Sequence, residues 1–314
     1  MDAAAGDLAA AIREGSARAL SRGLSWIEAG GDRAKALVEA VYAGAPQAHV
    51  VGVTGAAGVG KSTLVAALAK EARARGLMVG ILAIDPSSPF TGGAILGDRV
   101  RMSELSGDAS VFIRSMAARG ELGGLCQAAS GAIDVLRAGG KQMIFVETVG
   151  VGQDEVDIMH VAHTTVLVSV PGLGDDIQTM KAGLFEIADI HVVNKADREG
   201  AGETVAQIEA MLQLGSPGAW TPPVLRTSAV KGEGVAEVVD AIARHSVHLN
   251  HSGELAERER RIAGARVVKL AQAMVADSLR RPGVASVDID RVARRELSPY
   301  ACARALLERV QAGD

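Results

Sequence analysis

Short apolar runs alternate with longer helical stretches through the middle of the chain, from about residue 48 to about residue 245. Most of these runs are continuously apolar, as expected for strands that a parallel sheet buries on both faces. The alternation of such strands with helices predicts a three-layer α/β domain with a mostly parallel sheet. We place its strands at residues 49–54, 78–84, 110–113, 142–146, 165–170, 190–193 and 224–227.

The two ends of the chain have helical patterns of their own. Residues 1–45 carry apolar positions at near-helical spacing, and Pro46 then ends the pattern. Beyond residue 251 the sequence is rich in Arg, Glu and Ala, which favours helices over 254–281 and near 298–311. The sequence therefore predicts three parts, namely an N-terminal helical extension (1–46), the α/β domain (47–248) and a C-terminal helical extension (249–314).

Composition excludes several classes of protein. The 314 residues are 48% hydrophobic but only 3% aromatic, so the core must be built from aliphatic side chains. The net charge of −4 is spread over mixed-sign segments, which argues against a nucleic-acid partner held by bulk charge. No signal peptide is apparent, and no apolar run approaches the roughly 20 residues of a membrane span. We expect a cytoplasmic protein that binds neither nucleic acids nor membranes.

Residues 55–62 read Gly-Ala-Ala-Gly-Val-Gly-Lys-Ser, which matches the phosphate-binding loop pattern G-x-x-x-x-G-K-S. The segment follows the first predicted strand and opens a helix predicted over 62–75, which is the context that the motif needs. Its backbone N–H groups and the helix N-terminus can surround a phosphate. Lys61 is expected to reach the β- and γ-phosphates, and Ser62 to bind Mg²⁺. The expected nucleotide contacts are Gly55, Ala57, Gly58, Val59, Gly60, Lys61, Ser62 and Thr63.

A second motif identifies the base. Residues 194–197 read Asn-Lys-Ala-Asp, the N-K-x-D guanine signature, directly after the sixth predicted strand. The carboxylate of Asp197 can accept hydrogen bonds from guanine N1–H and its 2-amino group, and adenine offers neither donor. Ser228-Ala229 resembles the last guanine-contacting loop, in which a backbone N–H meets O6. The residues expected to bind the base of GTP or GDP are Asn194, Lys195, Asp197, Ser228 and Ala229.

Three carboxylates are candidates for the metal site and for catalysis beside Lys61. Glu147 ends the fourth predicted strand, where most small GTPases have Asp-x-x-Gly, and it can hold Mg²⁺ directly or through water. Asp85 ends the second predicted strand, and Asp98 lies in the Gly-rich segment that follows. Asp beside Pro or Gly also forms ordinary turns, so a purely structural role for Asp85 and Asp98 stays open.

Four further stretches resemble the sequences of one particular family of GTPases. They are Asp-Pro-Ser-Ser at 85–88, Gly-Gly-Ala-Ile-Leu-Gly-Asp-Arg at 92–99, Glu-Thr-Val-Gly-Val-Gly-Gln at 147–153 and Gly-Leu-Phe-Glu-Ile-Ala-Asp at 183–189. Through about residues 48–245 the chain resembles the MeaB/ArgK family of metallochaperone GTPases. One departure is Ala56-Ala57 in the phosphate loop, where a Pro is frequent in relatives.

The resemblance implies a specific partner. GTPases of this kind accompany adenosylcobalamin-dependent acyl-CoA mutases, such as methylmalonyl-CoA mutase. It implies that nucleotide state gates cofactor loading from a cob(I)alamin adenosyltransferase, and the protection or repair of the mutase. It also implies homodimers formed through the C-terminal extension. The segment 171–181 resembles the mobile loop that senses nucleotide and partner, with Asp175, Asp176 and Lys181 as its charged members. The alternative is an ordinary Gly-rich strand-to-helix loop.

Two other functions remain open from the sequence. A P-loop kinase or transport ATPase is the first, and the N-K-x-D motif speaks against it. A nickel-insertion GTPase is the second, because histidines recur at 160 and 163 and again at 245, 248 and 251. Histidines near a helix end are more often solvated or capping than metal-binding.

The residue that positions the attacking water is not identified by any motif. Gln153 lies several positions beyond Gly150, and a polar surface role suits it equally well. Arg99, Arg101 and Arg114 lie near the predicted first switch, but none can be named an arginine finger. We therefore expect slow intrinsic GTP hydrolysis that a partner accelerates.

Overall fold

A parallel sheet forms the centre of the protein. The computed structural model describes residues 2–85, 105, 107–117, 124–148, 158–172, 182–214, 218–279 and 289–312. In this part of the chain all strand pairings are parallel, and the order is β3-β2-β4-β1-β5-β6-β7. The strands are β1 (His49–Thr54), β2 (Val79–Asp85), β3 (Val111–Ala117), β4 (Met143–Thr148), β5 (Thr164–Ser169), β6 (Ile190–Val193) and β7 (Val224–Arg226).

Helices cover both faces of the sheet, which gives the three layers expected from the sequence. The sheet separates two aliphatic cores, one beneath the N-terminal helices and helix Gly124–Ala138, the other beneath helices Lys61–Ala74 and Val235–Ser252. The helices are α1 (Ala3–Arg13), α2 (Ala17–Ala29), α3 (Gly31–Tyr42), α4 (Lys61–Ala74), α5 (Gly124–Ala138), α6 (Ala182–Ile187), α7 (Ala201–Gln213), α8 (Val235–Ser252), α9 (Glu254–Leu279), α10 (Ile289–Ala293) and α11 (Pro299–Ala312), with a 3₁₀ turn at Ile158–His160.

The seven predicted strands are all present, and β1 and β6 have the predicted bounds. The largest difference is β3, which continues to Ala117 although its apolar run ends at Ile113. Its next residue, Arg114, pairs with Leu82 of β2 in the sheet, and its guanidinium contacts Glu28 of α2 at 2.5 Å. In addition, β4 extends to Thr148, so Glu147 lies inside the strand and not after it. The carboxyl ends of β3 and β4 are therefore predicted too early, because each strand continues through a polar residue after its apolar run ends.

The N-terminal extension packs on the α/β layer. Leu20 and Leu24 of α2 and Leu37 of α3 are fully buried in the core that α5 also lines. Asp2 and Ser16 cap the first two helices, because their side chains accept hydrogen bonds from Ala4 N and Ala19 N. The three N-terminal helices are therefore an integral part of the first compact unit.

The chain divides into two compact units, Met1–Ile262 and Ala263–Asp314. Helix α9 begins in the first unit and continues into the second, and α10 and α11 belong to the second. The functional division at residues 46 and 248 stays a prediction. Among the described residues, every helix is too short or too polar to span a bilayer.

Candidate nucleotide-binding site

The phosphate loop connects β1 to α4 and bends where only glycine fits. Gly55 has φ +141°, and a Cβ on it would lie 2.2 Å from the carbonyl oxygen of Val168 on β5. Gly60 has φ +94°, and a Cβ there would meet Asn194 Nδ2 at 2.6 Å. The loop is therefore pressed against the ends of β5 and β6, which places the phosphate motif beside the guanine motif.

Lys61 opens α4 and is 5% exposed. Its ammonium donates hydrogen bonds to the carbonyl oxygens of Gly55 and Ala56, at 2.7 and 2.9 Å. The charge therefore lies in the concavity of the loop, at the N-terminus of a 14-residue helix. Cation and helix N-terminus together favour an anion at this position.

Ser62 and Glu147 meet at the carboxyl ends of the central strands. The Ser62 hydroxyl donates to Glu147 Oε1 at 2.6 Å. Glu147 is buried on β4, opposite Val53 of β1, and the phosphate loop that follows β1 brings Ser62 of α4 to it. A hydroxyl and a carboxylate oxygen are ligands that Mg²⁺ prefers, and this donor set fits the metal.

Of the other two predicted metal ligands, Asp85 and Asp98, the structure describes only the backbone of Asp85. Asp85 is the last residue of β2, which pairs with β4, so its backbone lies on the same edge of the sheet as Glu147. The side chain of Asp85 and the whole of Asp98 lie outside the described residues. The same is true of Gln153 and of Asp175, Asp176 and Lys181 in the predicted coupling loop.

Asn194 links three segments at the end of β6. Its Nδ2 donates to the carbonyl oxygen of Val59 in the phosphate loop at 2.9 Å. Its Oδ1 accepts from Thr227 Oγ1 at 3.1 Å and from Ala229 N at 3.2 Å. Sequence reasoning missed Thr227 because the residue resembles the end of an ordinary strand. The Ala229 N–H therefore ties the loop that resembles the last guanine-contacting loop to the N-K-x-D motif.

Lys195 and Asp197 complete the guanine motif. Lys195 adopts φ +56°, and its ammonium donates to Gly58 O at 2.7 Å across the phosphate loop. Asp197 Oδ1 accepts from Ser228 Oγ at 3.1 Å. A hydrogen bond from its own backbone N–H, followed by the one from Ser228, lowers the pKa of the Asp197 carboxyl. The low pKa favours the ionised carboxylate, and the Asp197 side chain is 36% exposed.

Comparison with known proteins identifies the family. A family model described as methylmalonyl Co-A mutase-associated GTPase MeaB matches residues 20–283. The chain belongs to the MeaB family. It is a GTPase, in agreement with the phosphate and guanine motifs described above. The match covers both motifs and the beginning of the C-terminal helices.

Individual MeaB relatives agree over most of the chain. A putative GTPase of Pyrococcus horikoshii is 46% identical over 95% of this chain and 96% of its own. GTPase ArgK of Escherichia coli is 36% identical over 78% of this chain and 76% of its own. The crystal structure of LAO/AO transport system kinase matches 99% of both chains with a TM-score of 0.74 and 26% identity. These matches support the P-loop GTPase fold.

Two of the histidines that raise the nickel-insertion alternative contact other side chains of this MeaB-family chain. His245 lies 2.8 Å from Thr164 Oγ1 and 3.3 Å from Asp189, and His248 lies 3.4 Å from Glu254. The described residues contain no group of three or more His, Cys, Asp or Glu side chains arranged to hold a metal ion.

Proposed function

We propose that the chain is a GTP-dependent chaperone of an adenosylcobalamin-dependent acyl-CoA mutase, either methylmalonyl-CoA mutase or a relative. The observation that carries the proposal is membership of a family described by its association with that mutase, in a chain whose nucleotide motifs are intact. In this role the nucleotide state gates cofactor loading from a cob(I)alamin adenosyltransferase. It also governs the protection or repair of the loaded enzyme.

The proposed reaction is GTP + H₂O → GDP + phosphate. Lys61 and the backbone N–H groups of 55–62 bind the β- and γ-phosphates and stabilise the charge that develops as the bond to the leaving GDP breaks. Asp197 accepts N1–H and the 2-amino group of guanine, while Asn194 and Lys195 hold the base-binding loop against the phosphate loop. This linkage keeps base and phosphates at a fixed separation.

Ser62 and Glu147 would hold Mg²⁺, with Asp85 and Asp98 as further candidates. When bound, this ion neutralises charge on the β- and γ-phosphates. The 2.6 Å contact between the Ser62 hydroxyl and Glu147 supports this assignment, because two hard oxygen donors already converge at the end of the phosphate loop.

We further propose that the protein is a homodimer assembled through its C-terminal helices. In the 26 residues of α9 no side chain is buried. Four of its large apolar side chains recur at helical spacing and are exposed, namely Val267, Val268, Met274 and Val275. Apolar faces of this kind mark association sites on protein surfaces.

The segment 171–181 is proposed to couple nucleotide state to the mutase, through Asp175, Asp176 and Lys181. The proposal rests on resemblance of the sequence. If it is correct, Asp176→Ala or Lys181→Ala blunts stimulation by the mutase while nucleotide affinity stays near that of the wild type. A loss of nucleotide binding itself would make the segment structural.

The proposed function is tested by mixing the purified protein with B12-dependent acyl-CoA mutases. The correct mutase should accelerate GTP hydrolysis, and a GTP analogue should change affinity for it relative to GDP, because coupling of binding is reciprocal. Lys61→Ala, which we expect to hydrolyse GTP at least about 100-fold more slowly, is the control for contaminating activity. If no such mutase binds or stimulates, the chaperone role is wrong and the GTPase assignment is unaffected.

A further inference from the structure

The turn formed by residues 228–233 brings two side chains to the Asp197 carboxylate. Ser228 Oγ donates to Oδ1 at 3.1 Å, and Lys231 Nζ lies 3.6 Å from Oδ2. The backbone fixes their relative positions, since Ser228 N donates to Glu233 O at 3.0 Å and Lys231 N to Ser228 O at 2.9 Å. One short turn therefore contacts both oxygens of the carboxylate.

Recognition of guanine depends on how that carboxylate is oriented. Its two oxygens must lie in the plane of the base to accept N1–H and the 2-amino group together. The terminal torsion of an aspartate is broad, and the Asp197 side chain is 36% exposed, so burial alone does not fix it. A hydroxyl on one oxygen and an ammonium beside the other restrict the rotation.

We propose that Lys231 is a positioning residue for guanine recognition, which acts by holding the Asp197 carboxylate in the orientation that a 2-amino group requires. This inference rests on the proposed guanine site. The ammonium also stabilises the ionised carboxylate, although it is only a minor cause of the low Asp197 pKa. Lys231 thus extends the base-binding motif by a residue that the sequence motifs do not include.

A simpler role for Lys231 makes a different prediction. As a half-exposed cation it could merely attract the phosphates, which would strengthen binding of every nucleotide by the same factor. GDP and inosine diphosphate (IDP) distinguish the two roles, because IDP keeps N1–H and the phosphates but lacks the 2-amino group. A positioning role changes the ratio of the two affinities, whereas general attraction leaves the ratio constant.

The experiment measures dissociation constants for GDP and IDP by calorimetric titration of the full chain. Lys231→Met should reduce the preference for GDP over IDP by about two- to fivefold, the range expected for an exposed ion pair. Lys231→Arg should restore most of it. Lys35→Met is the matched control, since Lys35 is 52% exposed against 53% for Lys231 and pairs with Asp32 at 3.8 Å. Its ratio should equal that of the wild type.

The other possible results of the titration either overturn the proposal or show that the guanine site itself is misassigned. Equal weakening of GDP and IDP in Lys231→Met, or no change in either, overturns the proposal. Asp197→Ala separates this failure from failure of the site, because it should abolish the preference for GDP altogether. If Asp197→Ala leaves the ratio intact, the guanine site itself is misassigned. Lys231→Gln repeats the test with a polar side chain if Lys231→Met is poorly folded.

Discussion

At the scale of single residues, Asn194 has a structural role in addition to its proposed part in base binding. It joins Val59 of the phosphate loop to Thr227 and Ala229, which follow β7. It is 2% exposed, so removing its amide leaves buried polar groups without their hydrogen bonds.

Asn194→Ala should therefore lower the stability of the nucleotide-free protein by about 1–3 kcal/mol as well as weaken GDP binding. Urea unfolding and calorimetric titration measure the two effects separately. Asp197→Asn serves as the control, because this half-exposed residue should alter the base preference towards xanthosine nucleotides and leave unfolding nearly unchanged. Equal stability of Asn194→Ala and the wild type would contradict the structural role.

Glu147 offers a second residue-level prediction, since its carboxylate is the one that contacts Ser62. Glu147→Gln keeps the size of the side chain but removes its charge, so it should raise the Mg²⁺ concentration needed for half-maximal GTP hydrolysis by tenfold or more, about 1.4 kcal/mol. Steady-state assays over a range of Mg²⁺ concentration measure this shift.

The neighbouring residue supplies a matched control for the metal prediction. Thr148 donates to Thr54 Oγ1 at 3.2 Å, and Thr148→Val keeps its shape in the same strand. This variant should leave the Mg²⁺ requirement unchanged. A Glu147→Gln enzyme with a wild-type Mg²⁺ dependence would remove Glu147 from the metal site.

At the scale of elements, the sequence predicts the position of every described strand but not the end of every strand. Residues 190–193 are buried throughout, and the predicted bounds of β6 match the structure. The carboxyl ends of β3 and β4 are predicted too early, because each apolar run stops before a polar residue, Arg114 or Glu147, whose side chain pairs with another element. Such partners are distant in sequence, so no local pattern reveals them.

The first turns of α9 are attached to the sheet by a contact of this kind. Arg258 donates to both carboxylate oxygens of Asp189, at 2.8 and 3.0 Å, and to His163 O at 2.7 Å. Asp189 precedes β6 and also accepts from Thr165 N at 2.7 Å. The side chains of Arg258 and Asp189 are only 18% and 10% exposed, so the pair is largely desolvated.

Arg258→Met should lower the free energy of unfolding by about 3 kcal/mol, because it leaves the Asp189 charge buried without its main partner. Arg260→Met, at an exposed position of the same helix, should change stability by less than about 0.5 kcal/mol. Chemical denaturation of both variants compares them directly. Similar stabilities would mean that the helix is held by other contacts.

At the scale of the whole molecule, the sequence indicates which motifs should lie together more readily than which polar side chains meet in the interior. The phosphate and guanine motifs are each one continuous run of residues. The order of the strands places the two runs side by side, and they touch at Gly60 and Asn194. The polar cluster at the opposite edge of the sheet corresponds to no continuous sequence motif. It consists of side chains from five separate segments, among them His49, His163, Thr164, Asp189, His245 and Arg258.

Four buried histidines, namely three from this cluster and His191 of β6, should make the stability of the whole protein sensitive to acid. Burial lowers the pKa of His49, His191 and His245 to about 4 and that of His163 to about 3, from 6.5. Asp189 opposes the shift at three of them, whereas Arg258 and Arg137 reinforce it at His49 and His163. The histidines are therefore neutral in the folded protein at neutral pH.

The direction of the pH dependence follows from proton binding. Between pH 6.5 and about 4 the unfolded chain holds more protons than the folded one, so the free energy of unfolding is highest above pH 6.5 and falls as the pH falls. At pH 5 a single histidine shifted from 6.5 to about 4 accounts for a loss of about 2 kcal/mol. Urea unfolding at pH 7.5, 6 and 5 should show this decline.

His191 allows the cause to be isolated, because it is 1% exposed and its ring packs 4.5 Å from the ring of Phe185. His191→Phe removes one titrating group and keeps an aromatic ring in the same core, so stability should fall less steeply between pH 6.5 and 5 than in the wild type. His251→Gln, at an exposed position of α8, should leave the slope unchanged. A His191→Phe slope equal to that of the wild type would show that the acid sensitivity originates elsewhere in the protein.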